Sequence, residues 1–283
     1  MEIDTNSSPD FLLSRREADL STWIQARAPI AIGFSGGVDS AYLAVAARLA
    51  VGPDRVLAII GRSASYPAAQ WAVARDVARA FDVPVLELDT AELDDPRYAA
   101  NPSNRCYFCK SELWSKLVPA ARAQGFETVA DGTNADDLSD WRPGAQAANE
   151  HGVASPLAEL GFTKQHIRAA SRRLGIPTWE QPSSPCLSSR LPYGTAVTRA
   201  RLEQVERAEA AVRALGVAGD LRVRYHEDLA RVEVGADELV HWMEPSRFET
   251  LREALIASGF ARVALDLRGF RSGSLNVLHG VVS

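Results

Sequence analysis

The sequence predicts an α/β protein, with a parallel-sheet domain over residues 1–182 and a smaller α+β module over residues 183–283. Two observations lead to this class. In the first part of the chain, short apolar segments of strand type alternate with helical segments, which is typical of right-handed βαβ units. After the proline- and serine-rich segment PTWEQPSSPC, the order changes to helix, strand, strand, helix, strand.

The elements of the first domain follow one another regularly, beginning with a helix over 10–26 that has apolar helical spacing. The predicted strands are PIAIGF (29–34), RVLAII (55–60), PVLELDT (84–90) and the start of TVADGTNADD (128–137). The other predicted helices are 41–50, 67–81, 106–124 ending before Gly125, and a last one capped by Thr163 and ended by Gly175. Parallel sheets bind ligands beyond the carboxyl ends of their strands, so we expect the loops after AIGF, LAII and TVAD to share one cleft.

The second module is predicted from four further segments. They are a charged helix over 198–215, two short strands within LRVRYHEDLARVEV (221–234), a helix over 245–258 that ends before Gly259, and the closing strand ARVALDL (261–267).

Composition and charge are typical of a globular protein. Hydrophobic residues make up 46% and charged residues 24%, so a core can form without disulfides. The net charge of -5 argues against nonspecific nucleic-acid binding. MEIDTNSSPD lacks the basic and apolar regions of a signal peptide, and no apolar run approaches the roughly 18 residues of a membrane helix. We therefore expect a cytoplasmic protein without membrane or nucleic-acid partners. In a reducing compartment a structural disulfide is not expected, so C-x-x-C indicates redox chemistry or metal binding.

The segment SGGVDS lies where a predicted strand ends and a predicted helix begins. Gly36 and Gly37 allow a sharp turn, and the amides of this turn and of the helix N-terminus favour an anion. Ser35 and Ser40 add hydroxyl donors, and Asp39 either orders the loop or helps to hold Mg²⁺. An ordinary helix N-terminus is the simpler alternative, but the whole S-G-G-x-D-S pattern between strand and helix favours a nucleotide site.

SGGVDS resembles the PP-loop of the ATP pyrophosphatase superfamily, and no G-K-[ST] of a Walker A loop follows it. The resemblance implies an adenine nucleotide alpha hydrolase-like, Rossmann-like domain that binds ATP and Mg²⁺, adenylates a carbonyl or carboxylate oxygen and releases pyrophosphate. It also implies that GRSAS lies near the adenosine and that DGTNADD approaches the nucleotide. The implied ATP-binding residues are Phe34, Ser35, Gly36, Gly37, Val38, Asp39, Ser40, Gly61, Arg62, Ser63, Gly132 and Asn134.

CYFCK, DGTNADD and SPCLSSRLPYG, in this order behind the PP-loop, resemble the LarE family from about Trp23 to GFRSGSLN. That family makes part of the nickel-pincer nucleotide cofactor of lactate racemase. The resemblance implies that the protein adenylates the carboxylates of pyridinium-3,5-biscarboxylic acid mononucleotide and replaces an oxygen of each with sulfur. By analogy, it also implies a homo-oligomer built from trimers.

Two forms of this sulfur transfer are known in the family. In one, the cysteine at the position of Cys186 gives up its sulfur and becomes dehydroalanine. In the other, three cysteines hold a [4Fe–4S] cluster that carries an extra sulfide. Because the sequence also has Cys106 and Cys109, the resemblance favours the cluster form and implies catalytic and metal-ligating roles for all three, with Asp39 as a further catalytic residue. Three thiolates leave one iron open, and C-x-x-C at a helix start places both sulfurs on one side.

Three other interpretations of the cysteines remain. They are small buried hydrophobic residues, a structural zinc site completed by a histidine such as His226, or a dithiol pair at Cys106 and Cys109 with Cys186 as the sacrificial donor. Arg105, which precedes Cys106, either binds a phosphate or is solvated, and we expect it to be solvated.

An acceptor with two carboxylates and a phosphate calls for arginines in its site. The resemblance places Ser189 and Arg190 near the substrate, whereas the simpler interpretation of Arg190 is a surface residue on a turn. Arg222 and Arg224 lie two apart on a predicted strand, so they share a face, and Glu233 lies on the neighbouring strand. They form either an anion clamp, in which Glu233 helps to hold a cation, or a cross-strand ion pair.

Three rival functions share parts of this pattern. A PP-loop tRNA thiolase also adenylates an oxygen and can use a three-cysteine cluster, but the charge of -5 speaks against an RNA-binding face. An ammonia-dependent ligase of the NAD synthetase type needs no thiols. A nucleotide-binding sensor would use the second module to dock a partner.

Overall fold

The computed structural model describes residues 9–139, 143–182 and 184–271. Its α-helices are α1 (Pro9–Arg27), α2 (Val38–Val51), α3 (Ala68–Ala80), α4 (Pro96–Ala99), α5 (Arg105–Ala123), α6 (Pro143–Glu150), α7 (Pro156–Glu159), α8 (Lys164–Arg173), α9 (Arg199–Ala214), α10 (Ala236–Trp242) and α11 (Pro245–Ala257). Its strands are β1 (Ile30–Gly33), β2 (Val56–Arg62), β3 (Val85–Asp89), β4 (Thr128–Ala130), β5 (Leu221–His226), β6 (Leu229–Val234) and β7 (Arg262–Leu265). The predicted α/β class is confirmed by a parallel four-stranded sheet and a separate three-stranded sheet.

The described residues form two compact units. Unit 1 consists of those in Met1–Ser63, Ala68–Glu92 and Cys106–Ser183, and unit 2 of those in Ala64–Pro67, Leu93–Arg105 and Ser184–Ser283. Two short segments of the first half of the chain therefore belong to the unit with the C-terminal elements. The domain boundary predicted after residue 182 stays a prediction, and Ser183 and the part of the module from residue 272 onward lie outside the described residues.

The sheet of unit 1 has the order β3-β2-β1-β4, and all its strands are parallel. Ile30 in β1 is paired with Val56 on one side and with Thr128 on the other. Central strands of a parallel sheet are covered on both faces, which explains why β1 is a continuous apolar run with Ile30, Ala31 and Ile32 fully buried. The carboxyl end of this central strand leads directly into SGGVDS.

Helix α5 packs closely on the sheet of unit 1. Trp114, at its centre, lies in one buried cluster with Ala31 of β1 and Leu57 of β2. A Cβ atom added to Gly33 would lie 2.5 Å from Trp114 Cη2, and one added to Gly61 would clash with Leu113 Cδ1. Glycines at these strand ends therefore allow the close approach that fixes α5, the helix whose first turn carries C-x-x-C.

Unit 2 contains the sheet β5-β6-β7, in which β5 and β6 form an antiparallel hairpin and β7 runs parallel to β6. Glu227 in the hairpin turn has a positive φ of 57°. Helix α9 starts at the N-cap Thr198, whose side chain accepts a hydrogen bond from the Arg201 N–H. Its buried residues recur at helical spacing, as a helix packed on a sheet requires: Leu202, Val205, Ala208 and Val212.

Four short helices were not predicted from the sequence, namely α4, α6, α7 and α10. They have between 4 and 8 residues, which is too short for a clear helical period. In contrast, Thr163 is the predicted cap of α8, and its side chain and that of His166 form a reciprocal capping box. Within the described ranges, no helix has both the length and the apolar character needed to cross a bilayer.

Candidate active site

The turn between β1 and α2 is closed by its two serines. The Ser35 N–H donates to Ser40 Oγ at 3.2 Å, and the two hydroxyl groups are 3.1 Å apart. Ser40 Oγ also reaches the Gly37 carbonyl at 3.2 Å. Gly37 is the N-cap of α2 and provides no side-chain cap, so the first-turn amides and the helix dipole are suited to an anion.

Two glycines allow neighbouring segments to approach this turn. Gly36 has φ 66°, and a Cβ atom there would lie 2.6 Å from the Cβ of Ala74 in α3. A Cβ atom on Gly132 would lie 2.8 Å from the Ser40 nitrogen. The loops after β1 and β4 are thus brought together at the start of α2, as the sequence predicts for the carboxyl edge of a parallel sheet.

Asp39 in the first turn of α2 forms an ion pair with Lys164, the first residue of α8. The Lys164 N–H donates to Asp136 Oδ2 at 2.8 Å, which ties α8 to the loop after β4. Lys164 is not among the site residues predicted from the sequence. The local signal for it is its place directly after Thr163, the predicted cap of this helix. Lys164 brings a positive charge to the part of the fold that the sequence assigns to phosphate.

A chain of hydrogen bonds links the SGGVDS turn to the end of unit 1. Gln70 Nε2 of α3 donates to the Ser35 carbonyl at 3.1 Å, and Gln181 Nε2 donates to Gln70 Oε1 at 2.7 Å. Arg168 of α8 donates to the carbonyls of Trp179 and Gln181 at 2.6 and 3.0 Å. No local pattern could have revealed these contacts, because they join residues far apart in sequence.

The loop after β4 is ordered by its own side chains. Asp131 accepts from the Thr133 N–H at 3.0 Å and from the Ser155 hydroxyl at 2.8 Å. Asn134 is fully buried, and its Oδ1 accepts from the Asp136 N–H at 2.9 Å. Its Nδ2 has no hydrogen-bond partner within the described ranges, so it is a donor suited to a ligand.

The predicted adenosine segment at the end of β2 is more exposed. Arg62 donates to Asp89 at 2.9 and 3.0 Å and to Glu87 at 3.1 Å, so its guanidinium lies along the neighbouring strand β3. A glycine is required at position 61 because Leu113 of α5 lies too close for a side chain there. The nucleotide roles of Gly61, Arg62 and Ser63 stay predictions.

Cys106 and Cys109 lie three residues apart in the first turn of α5, and hence on one side of that helix. Cys106 is exposed and Cys109 is partly buried. This spacing and the helix N-terminus fit thiolate ligands of a metal. However, in the part of the chain that the structure describes, no three His, Cys, Asp or Glu side chains form a group that could hold a metal ion, so the three-cysteine cluster stays a prediction.

Cys186 is the N-cap of the 3-10 helix Leu187–Arg190 in unit 2, where it is partly buried. The segment is held at several points within that unit. The Leu187 N–H donates to the Ser65 carbonyl at 2.8 Å, and the buried hydroxyl groups of Tyr98 and Ser188 are 2.5 Å apart. The backbone position of Cys186 is therefore well defined within its own unit.

Arg190 is buried, so the simpler interpretation of a surface residue on a turn is wrong. Its Nε and Nη2 each lie 2.8 Å from a carboxylate oxygen of Glu209 in α9. Its Nη1 donates to the carbonyls of Pro185 at 2.6 Å and Cys186 at 3.2 Å, and to Ser189 Oγ at 3.1 Å. The arginine thus connects the Cys186 segment to α9, a connection that the sequence did not reveal.

Arg224 and Glu233 form a cross-strand ion pair, one of the two alternatives given above, with Arg224 Nη2 2.8 Å from Glu233 Oε2. Arg224 Nη1 also donates to the Ser189 carbonyl at 2.9 Å. Arg222, on the same strand, is buried, and burial together with the nearby charge of Arg190 lowers its pKa to about 10. A site that disfavours the positive charge of a buried arginine is one in which a bound anion would be stabilised.

Comparisons with known proteins agree with this geometry. The NAD synthase family model matches residues 23–102, which include SGGVDS. The chain is 43% identical to uncharacterized protein slr1717 of Synechocystis sp. over 87% of this chain and 91% of the relative. It is 28% identical to uncharacterized protein MJ0830 of Methanocaldococcus jannaschii, with coverage of 86% and 91%.

A third relative has a named activity. The chain is 32% identical over 264 residues to the pyridinium-3,5-bisthiocarboxylic acid mononucleotide synthase of Lactiplantibacillus plantarum, a LarE protein. The match covers 93% of this chain and 95% of the relative, so it includes both units. Together with the SGGVDS turn between β1 and α2, this match shows that the chain belongs to the LarE family of ATP-dependent sulfurtransferases, within the PP-loop ATP pyrophosphatase superfamily.

Proposed function

We propose that this enzyme converts the carboxylates of pyridinium-3,5-biscarboxylic acid mononucleotide into thiocarboxylates, a step toward the nickel-pincer nucleotide cofactor. The observation that carries the proposal is the identity of 32% with the Lactiplantibacillus plantarum synthase across 93% of the chain. The acceptor is a small molecule, so neither a nucleic-acid partner nor a membrane partner is required. A cytoplasmic location and a trimer-based homo-oligomer remain expectations from the sequence.

The first half of the reaction is adenylation, which we assign to unit 1. An oxygen of the acceptor carboxylate attacks the α-phosphorus of ATP, and the bond from that phosphorus to pyrophosphate breaks. The first-turn amides of α2 and the ammonium of Lys164 stabilise the negative charge on the leaving pyrophosphate. Asp39 supplies a carboxylate oxygen of the kind that Mg²⁺ prefers, and the buried Nδ2 of Asn134 supplies a further donor.

The second half is sulfur delivery, which we assign to Cys106, Cys109 and Cys186. In the cluster form these thiolates would hold a [4Fe–4S] group, which supplies an open iron able to carry sulfide. The side-by-side placement of Cys106 and Cys109 on α5 supports this form. A sulfur nucleophile then adds to the activated carbonyl carbon, and AMP leaves with one of the original carboxylate oxygens.

The sacrificial form is the second candidate, and one contact favours it. In that form Cys186 Sγ attacks the acyl-adenylate, expels AMP and forms a thioester. A base then removes the Cys186 Cα proton, and the Cβ–Sγ bond breaks, which releases the thiocarboxylate and leaves dehydroalanine. Arg190 Nη1 donates to the Cys186 carbonyl at 3.2 Å. A guanidinium at this carbonyl would stabilise the negative charge that develops on its oxygen as the Cα proton leaves.

Acceptor binding is assigned to Ser189, Arg190, Arg222, Arg224 and Glu233. Glu209 engages Arg190 and Glu233 engages Arg224, so these two arginines shape the site and set its charge. Arg222 is the arginine that we assign to an anionic group of the acceptor, because it is buried on the same strand as Arg224 and lies near the charge of Arg190.

The two forms are separated by anaerobic purification followed by iron and sulfide counts, and by mass spectrometry of the protein after turnover. About four irons per chain and an unchanged protein mass support the cluster form. An iron-free protein that loses the mass of hydrogen sulfide from Cys186 supports the sacrificial form. Cys186→Ser is expected to abolish transfer in both forms, whereas Cys106→Ser abolishes it only in the cluster form. Transfer that survives all three Cys→Ser changes would contradict both.

A further inference from the structure

Unit 2 contains a buried arginine whose charge is not balanced by any described carboxylate. Arg105, the first residue of α5, is only 4% exposed. Two other buried arginines of this unit each have a carboxylate oxygen at 2.8 Å, from Glu209 for Arg190 and from Glu233 for Arg224. Among the described residues, Arg105 takes part in no ion pair. The sequence-based expectation that Arg105 is solvated is therefore wrong.

The guanidinium of Arg105 is nevertheless held in place. Its Nη1 donates to Asn101 Oδ1 at 2.9 Å, and its Cζ lies 5.0 Å from the centroid of the Tyr193 ring. Asn101 is fully buried, and its Nδ2 donates to the carbonyls of Pro192 at 2.8 Å and Thr195 at 2.9 Å. A side chain fixed in this way is preorganised for a ligand, because little rotamer entropy remains to be lost on binding.

The remaining edge of the guanidinium has the chemistry of an oxyanion site. Nε is buried and has no hydrogen-bond partner in the described part of the chain, and Nη2 donates to no described residue. The Nε–H and Nη2–H bonds are parallel donors that match two oxygens of one phosphate or carboxylate. Since a buried cation is costly without a counter-charge, an anion at this edge would stabilise the site.

We propose that Arg105, Asn101 and Tyr193 form an oxyanion subsite that binds the phosphate or one carboxylate of the acidic acceptor. The identity of the acceptor rests on the proposed function, but the existence of the subsite does not. Arg105 directly precedes Cys106 in the chain.

The test is equilibrium binding by isothermal titration calorimetry, with two probes that separate the possible anions. Nicotinamide mononucleotide carries a phosphate and no carboxylate, and pyridine-3,5-dicarboxylate carries carboxylates and no phosphate. Arg105→Gln is expected to bind one of them at least tenfold more weakly than the wild type does. The affected probe identifies the anion. Arg97→Gln is the matched control, because Arg97 lies in the same unit but is 69% exposed and paired with Asp95.

Folding of the variants is followed by circular dichroism and urea denaturation. If Arg105→Gln does not fold, Arg105→Lys keeps the charge but loses the forked geometry, and is expected to weaken the same probe about tenfold. The proposal is overturned if both probes bind the variant as tightly as the wild type, if the wild type binds neither probe, or if both weaken equally along with a lower unfolding midpoint. Binding needs no turnover, so a failure of sulfur transfer with this selective loss intact would overturn only the proposed function.

Discussion

Lys164 of α8 forms an ion pair with Asp39 of the SGGVDS turn, and its backbone N–H is bound by Asp136 of the loop after β4. Lys164 therefore joins three segments of unit 1: its ammonium pairs with the SGGVDS turn, and its backbone holds the start of α8 to the loop after β4. This arrangement gives the first turn of α2 a positive partner that SGGVDS itself lacks. Substitution of Lys164 therefore tests whether this positive charge helps to bind the nucleotide.

Replacing Lys164 by Met is expected to raise the KM for ATP about 10- to 100-fold, because a hydrogen bond to a charged group contributes about 1.5–3 kcal/mol. The measurement is steady-state pyrophosphate release at varied ATP. Lys116→Met is the control, since Lys116 has the same side-chain exposure of 41% and a carboxylate partner in Glu112. Equal KM values for the two variants would show that Lys164 does not bind the nucleotide.

Replacing Gly36 by Ala tests the close packing of α3 on the turn. The new methyl group would lie 2.6 Å from Ala74 Cβ, in a backbone conformation with φ 66°. Gly152→Ala is the control, because Gly152 has a similar φ of 68° but nothing lies within 4 Å of the added atom. Backbone strain alone is expected to cost about 1–2 kcal/mol in Gly152→Ala. Crowding should add about 1–3 kcal/mol in Gly36→Ala. Urea denaturation measures both, and equal losses would contradict the packing argument.

Arg222 is expected to separate stability from binding. Its folded-state pKa of about 10 lies below its unfolded value, so the unfolded chain holds more protons between the two. The charge therefore lowers stability at neutral pH, and this cost is relieved as the pH rises through about 10. Arg222→Met should leave the urea midpoint at pH 7 unchanged or raise it. The KM for the acceptor should rise at least about tenfold, because the variant loses one hydrogen bond to a charged group.

Arg224→Met is the matched control for Arg222→Met. It removes the 2.8 Å partner of the buried Glu233, which among the described residues then keeps its contact with Arg231 at 3.0 Å. Because a buried carboxylate loses a partner, this variant is expected to unfold more easily, by roughly 3 kcal/mol. If both variants lose the same stability, the assignment of Arg222 to an anion is wrong.

His226, at the end of β5, is expected to contribute to the acid sensitivity of the fold. Partial burial, followed by the charges of Arg231 and Arg224, lowers its pKa below the ordinary value. The unfolded chain then binds the proton more readily, so the free energy of unfolding decreases as the pH falls below about 6.5. Urea denaturation across pH 5–7, roughly, should show a flatter profile for His226→Gln. If the free energy of unfolding changes equally with pH in the wild type and the variant, His226 does not contribute to the acid sensitivity.

Much of the fold was predictable because its longer strands and helices have clear apolar spacing within short segments of the sequence. The strand at 29–34 and the helix at 106–124 are observed as Ile30–Gly33 and Arg105–Ala123, within a few residues of the predicted bounds. The turn at SGGVDS was predictable for the same reason, since glycines between a strand and a helix are a local signal. Short helices such as Pro96–Ala99 escaped because one turn has no period to detect.

The contacts that assemble the site were not predictable, because they depend on residues far apart in the chain. The pairs Asp39 with Lys164, Gln70 with Gln181, and Arg190 with Glu209 are examples. The burial of Arg105 is another, since its neighbours in sequence give no sign that Tyr193 covers it. Only the fold shows which charged side chains are solvated and which are enclosed.

Tracing the sulfur atom tests most directly whether this enzyme transfers sulfur to an adenylated carboxylate. Anaerobically purified enzyme is incubated with ATP, Mg²⁺, pyridinium-3,5-biscarboxylic acid mononucleotide and isotopically labelled sulfide, and the products are analysed by mass spectrometry together with a count of pyrophosphate. We expect a thiocarboxylate product, with one pyrophosphate released for each sulfur gained and the label in the product if the cluster form operates. Pyrophosphate release without any sulfur-containing product, or no reaction with this acceptor, would contradict this expectation.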